Sequence, residues 1–100
     1  SAGEPGAAQE PNIRLLQNRP NPFDEATWIS FWINEVPDYG KAEIQITDMQ
    51  GRVIAQLPVA LKEGLNETLY THGYGVLGTF AYALFVDGRP VDSKQMVFAY

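Results

Sequence analysis

The chain has 100 residues, of which 45% are hydrophobic and 19% charged, and its formal net charge is −5. This length suits a single domain, the composition argues against a disordered chain, and the excess of acids disfavours a surface that binds nucleic acid. With no cysteine and one histidine, His72, the chain lacks the residues for thiolate chemistry or a histidine metal cluster. We therefore expect no enzyme, no cofactor and no metal site.

The first twelve residues contain no aliphatic side chain larger than alanine. Such a segment buries too little surface to offset its ordering entropy, so residues 1–12 are predicted to be a flexible linker. The segment also lacks the basic start and the apolar stretch of a secretory signal peptide. If the protein is exported, we expect the signal to lie upstream on a longer precursor.

From residue 13 onward the apolar residues recur with the period of two that is typical of strands. The predicted strands, in chain order, are residues 13–16, 28–33, 41–47, 53–57, 65–71, 79–86 and 95–100. Seven short strands with turns about every 8–12 residues predict an all-β fold, an immunoglobulin-like antiparallel β-sandwich. The side chains predicted to be buried between its sheets are Ile29, Phe31, Ile44, Ile46, Leu69, Tyr82 and Leu84.

Two short segments mark corners of this predicted sandwich. Asp87 and Gly88 lie between two alternating runs, and this dipeptide is a strong hairpin signal because both residues tolerate positive φ. Pro20 and Pro22 bracket Asn21, which predicts an extended corner before the second strand.

A glycine-rich stretch imitates a cofactor site. Residues 73–78 match the G-x-G-x-x-G dinucleotide fingerprint letter for letter. Because a strand pattern rather than a helix follows them, we interpret the stretch as a loop between strands. His72, beside it, is interpreted as a surface histidine. Neither it nor Ser30 nor Ser93 has the local signature of a nucleophile and its base.

Other polar and aromatic patterns are weak. The scattered acids lack the spacing of a calcium loop and are interpreted as solvated turn residues. Residues 66–68 fit the N-glycosylation sequon, a short match that arises often by chance. Trp28 and Trp32 share one strand face with Ser30. Two alternatives stay open for them, a ledge that binds carbohydrate or a cover for an edge of the sandwich.

Residues 15–23 read L-L-Q-N-R-P-N-P-F, and Thr27, Ile29 and Phe31 follow. This segment resembles the opening of the type IX secretion system C-terminal sorting domain (type A, also called the Por secretion system tail). Members of that family begin L-x-Q-N-x-P-N-P-F and continue with a Thr and an I-x-F strand. Residues 44–53 are similar to the family's hairpin around D-x-x-G-R.

The end of the chain is similar to the last motif of the same family. Residues 78–80 correspond to its G-x-Y/F element and residues 87–88 to its turn. Residues 94–97 correspond to its K-x-[ML]-[VIL] element. The sequence departs from the pattern where Phe80 replaces the more usual Tyr and where Thr47 replaces an aromatic residue. The resemblance covers nearly all of residues 13–100, which it identifies as a C-terminal sorting domain.

The resemblance implies a removable export signal. Cargo proteins of this kind, from Bacteroidota, reach the periplasm through an N-terminal signal, and the outer-membrane type IX translocon with its shuttle protein recognises the folded domain. A cell-surface sortase-like protease then removes the domain, and the cargo is kept at the outer-membrane surface or released as an extracellular protein. We expect the same partners and localisation here, with no nucleic acid partner and no transmembrane segment.

Three sets of candidate site residues follow. The N-terminal motif set is Asn18, Pro20, Asn21, Pro22 and Phe23. The translocon-recognition set is Gly78, Phe80, Asp87, Gly88, Lys94, Met96 and Val97. The small residues at which the protease is expected to cut are Ala2, Gly3, Gly6, Ala7 and Ala8.

Within the recognition set we favour the last strand, because a terminal strand at a sheet edge presents its backbone groups to a receptor. Met96 and Phe98 are expected to pack this strand against the core and to leave Lys94 exposed. The alternative is that Lys94 only protects the edge from aggregation.

A second interpretation belongs to another class of protein. The flagellar hook-capping protein carries a similar P-N-P-F-x-x-x-T immunoglobulin-like domain, which implies a permanent structural or adhesion module. Position is expected to discriminate the two, because a sorting domain ends its precursor. This chain ends two residues after Phe98, which favours sorting.

Overall fold

A computed structural model of the chain describes residues 12–72 and 77–99. Its strands, in chain order, are β1 (Ile13–Leu15), β2 (Ala26–Ile33), β3 (Ala42–Thr47), β4 (Val53–Val59), β5 (Gly64–Thr71), β6 (Gly78–Val86) and β7 (Arg89–Phe98). They form two antiparallel sheets, one in the order β1-β2-β5 and the other in the order β4-β3-β6-β7. The predicted all-β antiparallel sandwich of about seven strands is confirmed.

The core lies between the inner faces of the two sheets and follows from the alternation of β2, β3 and β6. Six of the predicted core side chains have no exposed surface: Ile29, Phe31, Ile44, Ile46, Tyr82 and Leu84. Burial of one such side chain stabilises the fold by about 1.5–3 kcal/mol. The side chains whose apolar alternation predicted the sandwich are therefore the ones that form its core.

The prediction that Leu69 is buried is wrong, since 48% of its surface is exposed. Leu69 lies opposite Trp28 in the pairing of β2 with β5, and Leu65 lies opposite Trp32. Side chains alternate between the two faces of the sheet along β2. Ile29 points to the inner face, and the two tryptophans point to the outer face. Pairing partners point to the same side of a sheet, so both leucines of β5 point outward with the tryptophans.

The inner face of β5 is consequently polar and aromatic. Asn66 and Tyr70 are buried, and His72 continues the same face just after the strand with 7% exposure, so the prediction of a surface histidine is wrong. The Asn66 side chain accepts a hydrogen bond from the Lys62 amide at 3.1 Å and donates to the Lys62 carbonyl at 2.9 Å. The asparagine of the sequon is thus buried and committed to its own turn.

The β6–β7 hairpin has the predicted turn. Asp87 and Gly88 have φ values of 52° and 82°, the positive φ at both central residues that a type I′ turn requires. The Asp87 carboxylate also accepts hydrogen bonds from the amides of Lys41 at 3.0 Å and Gly40 at 2.8 Å. These bonds, the Lys41 bond first, hold the pKa of Asp87 below its usual value. The turn therefore ties β7 to the start of β3.

The folded body includes Asn12, which was predicted as the last linker residue. Its side chain donates to the Glu35 carbonyl at 2.7 Å and accepts from the Glu35 amide at 2.9 Å. The remainder of the predicted linker, with the cleavage candidates Ala2, Gly3, Gly6, Ala7 and Ala8, lies outside the described residues. So do residues 73–76 of the glycine-rich stretch. Within the described ranges no helix is long and apolar enough to cross a membrane.

Candidate functional site

The outer edge of β7 is covered by residues 17–23, which we call the capping segment. The Phe23 amide donates to the Val97 carbonyl at 3.0 Å, and the Ala99 amide donates to the Phe23 carbonyl at 2.9 Å. Asn21 adds a side-chain bond, because its Oδ1 accepts from the Val97 amide at 2.9 Å. Phe23 thereby forms a short parallel bridge with the end of the last strand.

The cover continues toward the middle of β7 through side chains. Gln17 Nε2 donates to the Gln95 carbonyl at 2.8 Å. Further along, the carboxylate of Asp92 accepts from the Leu15 amide at 3.0 Å, which joins β7 to β1. The terminal strand lies at the edge of its sheet, as predicted. Its backbone groups over residues 95–99 are nevertheless largely occupied, so the prediction of a free edge there is wrong.

Asn18 anchors the capping segment from inside the protein, where it is 1% exposed. Its Nδ2 donates to Thr27 Oγ1 at 3.0 Å and to the Pro20 carbonyl at 3.1 Å, and its backbone amide donates to Tyr82 Oη at 3.0 Å. Tyr82 Oη in turn donates to the Leu16 carbonyl at 2.7 Å. A turn that carries these buried polar groups is stable only because each has a partner.

Burial of the Tyr82 ring raises the pKa of its hydroxyl to about 12. Burial is the main cause, and the nearby Asp92 carboxylate adds to it, while the hydrogen bond from the Asn18 amide acts in the opposite direction. Tyr82 is therefore neutral at every physiological pH and can donate to the Leu16 carbonyl.

Phe23 anchors the other end of the capping segment in an aromatic cluster. Its ring meets those of Phe98 and His72 edge-on, with centroids 5.2 Å and 5.9 Å away. His72 also packs on Phe98 at 4.2 Å and on Phe80 at 4.8 Å, and its Nδ1 shares a hydrogen bond with the Tyr70 hydroxyl at 2.7 Å. The cluster joins both sheets to the segment that covers their edge.

The N-terminal motif set and part of the recognition set thus belong to one structural unit. Pro20 and Pro22, both preceded by cis peptide bonds, are exposed at its turn. Phe80 and Met96 are buried, at 2% and 0% exposure, so they pack in the core. Gly78 begins β6 with φ 130°, a left-handed conformation that favours glycine.

The remaining recognition candidates lie at the surface of the terminal hairpin. Asp87 and Gly88 are exposed at its turn, and the Val97 side chain is half-buried. Lys94 pairs with Tyr82 and points to the same face of β7 as Met96. Its side chain is therefore half-buried rather than exposed. The description of Lys94 as a freely exposed side chain is therefore wrong.

Sequence reasoning missed the roles of Thr27, Tyr70 and His72. Tyr70 and His72 are two residues apart and share a face, but the alternation of β5 does not indicate that this face is the buried one. Among the described residues, no group of His, Asp and Glu side chains is arranged to hold a metal ion. The backbone groups of this edge are largely used by the capping segment, and the site offers the exposed side chains of the terminal hairpin for contact with another chain.

A comparison with protein-family models and with curated proteins finds no match to this chain.

Proposed function

We propose that this chain is a C-terminal sorting domain, which directs a cargo protein through the type IX secretion system to the bacterial surface and is then cleaved off. Its partners in this proposal are the outer-membrane translocon with its shuttle protein and a cell-surface sortase-like protease. The cargo passes through the periplasm and ends at the outer-membrane surface or outside the cell.

One observation carries the proposal. The residues of the L-x-Q-N-x-P-N-P-F resemblance are those that cap the last strand, through Gln17, Asn21 and Phe23. The two ends of the motif pattern, distant in sequence, therefore meet at one edge. Such an arrangement suits a signal that is read only when folded, because the two motifs lie side by side only in the folded domain.

The closed edge also restricts how a translocon would recognise the hairpin. Strand pairing along residues 95–99 would have to displace the capping segment. Recognition is therefore proposed to use the exposed turn at Asp87 and Gly88 and the side chains of β7 that point outward, such as Gln95 and Val97.

The test is export of a periplasmic reporter fused before residue 1 in a type IX-competent bacterium. We expect the wild-type domain to bring the reporter to the surface and mass spectrometry to find the reporter without residues 13–100. A reporter that stays in the periplasm with the domain intact would rule out sorting. A surface reporter that keeps the whole domain would favour the permanent module.

A matched pair of variants locates the recognition surface. Lys94→Ala, on the inward phase of β7, and Gln95→Ala, on the outward phase, are both expected to change stability by no more than about 0.5 kcal/mol. Loss of export with Gln95→Ala and normal export with Lys94→Ala would support recognition of the outward face. The reverse result would return the recognition role to Lys94.

A further inference from the structure

The sandwich has four outer strands, and three of them are protected against pairing with another chain. β7 carries the capping segment, and β1 is only three residues long. β4 contains Pro58, and the register of its pairing with β3 shifts between Ile46 and Thr47. Short strands, prolines, bulges and covering loops are the usual means by which proteins prevent edge-to-edge association.

Within the described residues β5 has none of these protections, and its one charged side chain is the exposed Glu67. It runs for eight residues, Gly64–Thr71, without proline or lysine, and it pairs with β2 in one continuous register. Apart from that pairing, no bond between backbone groups in the described ranges involves these residues, and the Gly64 carbonyl accepts a hydrogen bond from the Asn66 side chain at 3.2 Å. A long regular edge of this kind is a template for an added strand.

An apolar face lies beside this edge. Trp28 and Leu69 are each 48% exposed and lie opposite each other, and the pair Trp32 and Leu65 repeats the arrangement with 42% and 43% exposure. The two pairs are four residues apart, which corresponds to roughly 13 Å along the strands. Exposed apolar side chains that are grouped in this way mark an interaction surface.

A cleft of about 440 Å³ lies at the same edge, between β5 and β4, and Trp28 and Glu67 of the outer face are also among its lining residues. Its walls include Pro58, Val59, Lys62, Leu65 and Thr68. A strand added to β5 would alternate its side chains between the two faces of the sheet, and the set beside the apolar pairs and this cleft would supply specificity.

We propose that the β5 edge binds an extended peptide segment of another protein by strand addition, with two apolar residues flanking a basic one. Glu67 stands between Leu65 and Leu69 on the outer face and is exposed, so a basic residue of the added strand is its complement. This inference goes beyond the proposed sorting role and holds for a permanent module as well.

A second copy of the chain is a poorer occupant. In an antiparallel pair of β5 strands, the register that places Leu65 against Leu69 of the other copy also places Glu67 against the same glutamate. Like charges directly opposite one another destabilise a strand pair. Charge therefore favours a different, basic partner.

The probe is a capped synthetic peptide, Thr-Leu-Thr-Lys-Thr-Leu-Thr, titrated into the 100-residue chain and followed by amide NMR. We expect shifts concentrated in β2 and β5, slower hydrogen exchange at the outer amides of β5, and no change in β7. A peptide with a central glutamate is expected to bind about two- to fivefold more weakly. Glu67→Lys, an exposed substitution, is expected to reverse that preference.

Two isomers of the peptide separate strand addition from simple adhesion to the apolar face. One isomer carries N-methyl groups on the amides of one strand edge and the other on the opposite edge. Strand addition predicts that only one of the two isomers loses binding. Equal binding of both isomers, absence of shifts in β5 at millimolar peptide, or a dimer formed through β5 without peptide would each overturn the proposal.

Discussion

β7 and β5 are both outer strands of their sheets, yet their edges are treated in opposite ways. The β7 edge is covered by a segment whose residues are held by buried groups, Asn18 and Phe23. No segment among residues 12–72 and 77–99 pairs with the β5 edge, which lies beside four exposed apolar side chains. The comparison shows that an outer strand in the sheet order is not the same as an accessible strand, because a segment outside the sheet can satisfy its backbone.

The largest expected change in the free energy of unfolding comes from a substitution that disrupts the covered edge of β7. Phe23→Ala removes a ring that is 1% exposed and lies between Phe98 and His72, so we expect a loss of about 3–5 kcal/mol in the free energy of unfolding. Trp28→Ala is the matched control on the open side, with an expected loss of less than about 1 kcal/mol because the ring is half-exposed. Urea denaturation measures both. A loss for Phe23→Ala below about 1 kcal/mol, no greater than that for Trp28→Ala, would contradict the anchoring role of Phe23.

A smaller effect concerns the polar anchor of the cap. Asn18→Ala is expected to cost about 1–3 kcal/mol, because it removes the bonds to Thr27 and to the Pro20 carbonyl inside the protein. Asn21→Ala, which removes one exposed bond to the Val97 amide, is expected to cost less than about 1 kcal/mol. Thermal unfolding compares the two. A larger loss for the exposed asparagine would contradict the assignment of the anchor.

The smallest effect is a dependence on alkaline pH. The folded pKa of Tyr82 is about 12, above the ordinary value of 10.0, so the unfolded chain releases this proton first as pH rises. The stability that Tyr82 contributes is complete below pH 10 and is lost as pH rises from 10 toward 12. Tyr82→Phe should remove this part of the decline in unfolding free energy. The parts that arise from lysines and from the other tyrosines should remain. Unfolding free energies of both proteins at pH 8 and pH 11 test it, and parallel declines would refute it.

The strand period in β2, β3 and β6 and the turn at Asp87 and Gly88 could be predicted from sequence because both depend on neighbouring residues. Alternation alone identifies an inner face where one set of positions is apolar and the other polar, as in β3. The phase of β5 could not be predicted in that way. Its apolar leucines point to solvent, and its inner positions carry Asn66 and Tyr70, whose polar groups are hydrogen-bonded.

The set of strands, their turns and most of the core can be predicted from the amino-acid sequence, since these follow from local alternation and from residues that accept positive φ. The cover of residues 17–23 on β7, and the lack of such a cover on β5 within the described ranges, depend on the packing of distant segments. The cover on β7 joins positions more than seventy residues apart, such as Asn21 and Val97, through hydrogen bonds that no local pattern encodes. Backbone groups at an edge can be satisfied by any nearby donor or acceptor, and the packing of Phe23 selects which segment supplies them.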